Sequence, residues 1–122
     1  MENNYPKNNP VLDKSFSFAV QIIKFCESLQ EQKQFIIANQ LLRSGTSIGA
    51  NCREAQNAES KLDFIHKFKI AAKEAEETEY WFLLCKATDK GNNIEALLSI
   101  LTEIKKLLNS IIASSKNSKS IH

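Results

Sequence analysis

Two helical stripes of opposite character run through the stretch from Gln40 to Ser60, QLLRSGTSIGANCREAQNAES. Ala38, Leu41, Gly45, Ile48, Cys52 and Ala55 recur at alternating spacings of three and four, which puts small and apolar groups on one seam of a helix. Gln40, Arg43, Ser47, Asn51 and Glu54 follow the same rhythm on a neighbouring face, as groups able to hydrogen-bond or pair with a partner helix. A segment so patterned is committed to packing on other helices.

The rest of the chain agrees. Only 3 glycines and 2 prolines among 122 residues argue against a turn-rich β architecture, and the length suits one domain with a single core. Three cysteines, Cys26, Cys52 and Cys85, show no CxxC or Cys/His spacing, so buried thiols are expected rather than a disulfide framework. No run approaches the ~18 apolar residues of a membrane span, and the Asn-rich start lacks the apolar core of a signal peptide. A cytoplasmic protein with no membrane partner is expected.

Residues 1–10 lack periodicity and read as a flexible arm, and residues 114–122 read as a flexible basic tail. Residues 11–113 read as the folded unit. A first helix runs from about Val11 or Asp13 to Leu29, with Asp13 or Ser15 available as its cap. It carries two adjacent seams, one of Leu12, Phe16, Ala19, Ile23 and Cys26, the other of Phe18, Ile22, Phe25 and Leu29. Together they are wider than one bundle contact needs, and Phe18, Ile22, Phe25 and Leu29 are assigned to an oligomer interface. A second helix continues from Phe35 to about Asn57, and Gly45 and Gly49 admit either close approach of a neighbour or a kink. A third starts after Ser60, paired with Asp63 as a cap, and buries Leu62, Ile65, Phe68, Ala72, Ala75, Phe82 and Cys85 before ending near Thr88. Gly91 suits a left-handed stop, Asn92 with Glu95 forms the next capping pair, and Ile94, Leu97, Leu101, Ile104, Leu108 and Ile111 carry a fourth helix to about Ala113. Four such helices on short connections predict an all-α, antiparallel up-down-up-down four-helix bundle.

A hairpin turning near Ala58 and Glu59 sets Arg43 level with Ala75, with Glu74 in the same turn and Glu77 one turn along. A polar groove of Arg43, Ser47, Asn51, Glu54, Glu74 and Glu77 follows. It serves either to fix helix register, where a largely buried pair is worth up to ~3 kcal/mol, or to bind a ligand.

The run QLLRSGTSIGANCREAQNAESKLDFIHKFKIAAKEAEETEYW resembles the four-helix bundle proteins also called 23S rRNA intervening-sequence proteins. The likeness spans roughly Phe16 to Leu108 and is most specific at Gln40, Leu41, Arg43, Ser47, Ile48, Asn51 and Glu54, then at Ser60, Phe64, Ala71, Glu74, Glu77, Thr78 and Trp81. Ala55, followed by Gln56, departs from the glycine that many members carry. The resemblance implies a small bundle assembling as a ring-like homopentamer of poorly defined function. A related branch, the accessory protein of diversity-generating retroelements, is a pentamer that binds nucleic acid and a reverse transcriptase.

Function classes divide on charge and on reactive groups. The formal charge of +2 equals the surplus after Gly91, where four Lys face two Glu. Phosphate contacts need clustered cations, for which Lys61, Lys67, Lys69, Lys73, Lys105, Lys106, Lys116 and Lys119 are candidates. Lys105, Lys106, Lys116 and Lys119 are the preferred set for RNA or DNA, because a ring would multiply a small basic patch. No enzyme is expected: Asp63 and His66 lack the further carboxylates of a di-iron bundle, the cysteines lack a basic partner, and Ser44-Gly45-Thr46-Ser47 lacks the lysine of a phosphate loop. Neither a cofactor nor a metal is called for. The alternative to nucleic-acid binding is a scaffold for protein partners.

Overall fold

A computed structural model describes residues 9–117, and these form α1 (Pro10–Glu31), α2 (Phe35–Ala55), α3 (Lys61–Ala87) and α4 (Ile94–Asn117). Each helix packs on the next, and α1 closes on α4, so the four make an antiparallel bundle.

Local chemistry sets the boundaries. Pro10 occupies the first turn of α1, where its missing N–H costs nothing, and the Asn9 side chain accepts from Leu12 N at 3.4 Å. The cap is therefore Asn9 rather than Asp13 or Ser15. Ser15 is buried instead and donates to the Leu12 carbonyl. Lys33, at φ 62°, turns the chain between α1 and α2. Ser60 caps α3 by accepting from Asp63 N at 3.0 Å, while the Asp63 carboxylate accepts from Glu59 N. Asn93, not Asn92, stands directly before α4 in left-handed geometry, and Glu95 is spent on an ion pair with Lys86 across the turn. At its far end α4 runs to Asn117 with Ser115 buried, so helix replaces the expected tail at residues 114–117. Residues 1–8 and 118–122 of the expected arm and tail lie outside the described residues.

The core follows the α2 and α4 seams closely and departs from the expected set on α3. Ala38, Leu41, Gly45, Ile48, Cys52 and Ala55 are all buried on α2, and Ile94, Leu97, Leu101, Ile104 and Leu108 on α4, with Ile111 half-buried. On α3, Leu62 points to solvent and Ala72 is half-buried, while Ala71 and Thr78 enter the core. Helix α2 is continuous through both glycines. A Cβ on Gly45 would stand 2.8 Å from Cγ1 of Ile22, and one on Gly49 would stand 3.2 Å from Ser15 Oγ, so the bare backbone lets α1 approach. Gly91, at φ 78°, has the Phe25 ring where a side chain would go, and that ring meets Phe82 edge-on at 5.4 Å.

Candidate functional site

The expected polar groove forms between α2 and α3. Arg43 donates to Glu74 Oε1 at 3.3 Å and pairs with Glu77, whose Oε2 also accepts from Trp81 Nε1 at 2.9 Å. Glu54 pairs with Lys67 at 3.1 Å, about three turns nearer the α2–α3 connection. Ser47 and Asn51 lie on the same face but bond to their own helix, Ser47 Oγ to the Arg43 carbonyl and Asn51 Nδ2 to the Ser47 carbonyl. The pairings at Arg43 and Glu54 form a ladder that joins α2 to α3, while Ser47 and Asn51 each engage a polar group within α2. Half of the Arg43 side chain is exposed, which removes the premise of the ~3 kcal/mol estimate and brings the pair into the range of solvated bridges, about 1 kcal/mol or less.

Beneath the ladder sits a link that the stripe did not disclose. Thr78 Oγ1 donates to the Glu74 carbonyl at 2.7 Å and accepts from Ser44 Oγ at 2.9 Å, with both residues fully buried. Its signal was present, since Ser44 stands three residues after Leu41 and four before Ile48 on the buried seam.

The predicted oligomer interface is corrected outright. Phe18, Ile22 and Leu29 are fully buried and Phe25 nearly so, all within one chain, because α1 faces both α2 and α4 and that seam points between them. The apolar groups α1 leaves in water belong to its other seam and flank: Phe16, 60% exposed, with Val20 and Ile23. Phe16 also lines a groove of about 200 Å³ between α1 and α2, together with Leu12, Ala19, Gly49, Ala50 and Arg53 among others. Ala19, Gly49 and Ala50 keep its walls low.

The basic set also changes. Lys105 is only 22% exposed and lies 3.0 Å from Glu76 and 2.9 Å from Glu79. Partial burial works against its charge, but the two carboxylates outweigh it and hold the ammonium above its ordinary value. A lysine clamped by two glutamates is a link between α3 and α4, not a phosphate contact. Lys106 and Lys116 are exposed, as are Lys69 and Lys73 on the neighbouring half of α3, and no ion pair engages these four among the described residues. Lys119 lies outside the described residues.

Among the described residues no group of three or more His, Cys, Asp or Glu could hold a metal ion, and no helix is long and apolar enough to cross a membrane.

A family model of the 23S rRNA-intervening sequence protein matches residues 7–110, which takes in all of the ladder and nearly all of the bundle. The chain belongs to that family. Among solved structures, a protein of unknown function from the S23 ribosomal protein family of Bacteroides thetaiotaomicron is 52% identical, with a TM-score of 0.81 over 84% of this chain and 97% of that one. No curated protein matches. The fold is thus shared with a relative whose function is unknown.

Proposed function

We propose that the protein is a non-enzymatic scaffold that assembles into a closed, ring-like homo-oligomer through the face shared by α1 and α2. The carrying observation is the row of Phe16, Val20 and Ile23 standing in water on α1, its Phe16 lining a groove with Ala19, Gly49 and Ala50. A monomer gains nothing from that arrangement, whereas covering it removes apolar surface worth about 25 cal/mol per Å². The family relationship favours a pentamer. Sedimentation velocity at micromolar concentration is expected to give a single species several times the chain mass. Phe16→Asp with Ile23→Asp is expected to give a monomer whose helical circular dichroism is unchanged, because neither side chain belongs to the buried core. A wild-type monomer would overturn the proposal.

A second reading adds RNA or DNA to the scaffold. Lys69, Lys73, Lys106 and Lys116 favour it as exposed cations on adjacent halves of α3 and α4, repeated around a ring. Without them as phosphate contacts, the assembly is a scaffold for protein partners.

A further inference from the structure

A second set of exposed apolar groups, Phe35, Ile36, Tyr80 and Leu84, gathers at the end of the bundle where α2 begins and α3 finishes. Arg43 and Glu77 pair across these two helices, and about two turns further along each of them Ile36 and Leu84 stand at a common level. A cleft of about 410 Å³ opens there, lined by Lys33, Phe35, Ile36, Gln40 and Trp81 among others. Ile36 is 82% exposed at its edge, and Tyr80 meets Trp81 edge-on at 5.3 Å. Large apolar and aromatic groups massed around one cleft are the composition of a protein-binding centre.

Charge narrows the occupant. Lys33 is the charged residue of the lining, it is exposed, and no ion pair engages it among the described residues. A second copy of this chain does not supply the missing sign through an apolar face. Two such clefts laid together set lysine beside lysine, and the α1–α2 groove is lined by no carboxylate either. The complementary surface carries large apolar side chains with a carboxylate at their edge, and it comes from a different protein.

We infer that this end of the bundle receives an amphipathic helix of another protein, its apolar stripe laid on Ile36, Trp81 and Leu84 and its flanking carboxylate on Lys33. Antiparallel α2 and α3 present paired ridges with a groove between them, the surface on which a third helix packs. The Trp81 indole N–H is already spent on Glu77, so Trp81 offers its ring and no free donor. The inference adds a client to the scaffold proposed above, on a face separate from the one assigned to self-association.

Trp81 is the only tryptophan of the chain and lines the cleft, so its emission reports occupancy. The probe is a synthetic helical peptide with leucines at i, i+3, i+4 and i+7 and a glutamate flanking that stripe, and a second peptide has lysine in place of the glutamate. Titrating the full chain with the acidic peptide is expected to shift the emission saturably, and Lys33→Glu is expected to weaken binding by about tenfold or more. The lysine peptide is expected to show the reverse preference, binding the Lys33→Glu variant more tightly than the wild type. Ile36→Asp, at an exposed position, is expected to abolish both responses while helicity and sedimentation stay unchanged. Equal binding of the two peptides, no saturable response, or a response to phospholipid vesicles and not to the peptides overturns the inference. So does a fall in oligomer size with Ile36→Asp, which assigns the cleft to a second copy. A wild-type monomer removes the oligomeric reading and not this one, which the peptides decide alone.

Discussion

Glu77 is the most shared side chain on the α2–α3 face, since one of its oxygens serves both Arg43 and the Trp81 indole. Arg43→Ala leaves Glu77 with Trp81 and leaves a Glu74 side chain that solvent can reach, so the expected loss is about 1 kcal/mol or less by chemical denaturation. The buried thiols behave in the opposite sense. Burial pushes Cys52 up to about 12, partly offset by the Ser15 hydroxyl, and pushes Cys26 up to about 11, with Cys85 adding to the effect. A thiol whose folded value is raised keeps its proton in the folded chain after the unfolded chain has lost it. Stability is therefore expected to be flat below the ordinary thiol value of 9.0 and to fall as pH rises toward 11 and 12. Denaturation midpoints between pH 7 and 11 check this. Native thiols are also expected to resist an aromatic disulfide reagent until the chain unfolds.

At the scale of the helix, the contact between α1 and α2 depends on having no side chain at Gly45. Alanine there improves helix propensity by roughly 1 kcal/mol, yet its Cβ would stand within 3 Å of Cγ1 and Cγ2 of Ile22. Gly45→Ala is expected to destabilise by about 1–3 kcal/mol, the usual cost of overpacking, read as a lower thermal midpoint. The α2 and α4 seams and the Arg43 ladder were legible in the sequence because helical period and hairpin height are local rules. Which seam of α1 turns inward was not legible, since Phe18 and Phe16 are equally apolar and only the placement of α4 decides between them. Lys105 misled for a related reason: the carboxylates that neutralise it, Glu76 and Glu79, arrive from another helix. Leu62 lay on the core period of α3 but in its first turn, beyond the reach of the packing.

For the whole molecule, the four exposed lysines make a defined prediction about polyanions. Affinity of the assembled protein for a single-stranded or duplex oligonucleotide is expected to be sequence-independent and to fall steeply with salt, as counterion release requires. Lys106→Glu with Lys116→Glu is expected to weaken it and flatten the salt slope in fluorescence anisotropy titrations. Absence of binding at ~50 mM salt, where electrostatic attraction is exaggerated, would leave the protein-scaffold reading.

The ring of Phe25 lying against Gly91 has a kinetic consequence. The other helix contacts join neighbours in sequence, whereas α1 with α4 joins the two ends of the described chain, and Phe25 stands where α1 meets Gly91 and the first turn of α4. Closing the longest loop is entropically the most costly step, so α4 is expected to dock on α1 after the earlier hairpins have formed. The same seam is expected to be where the native bundle opens first, read as faster amide exchange in α1 and α4 than in α2 and α3.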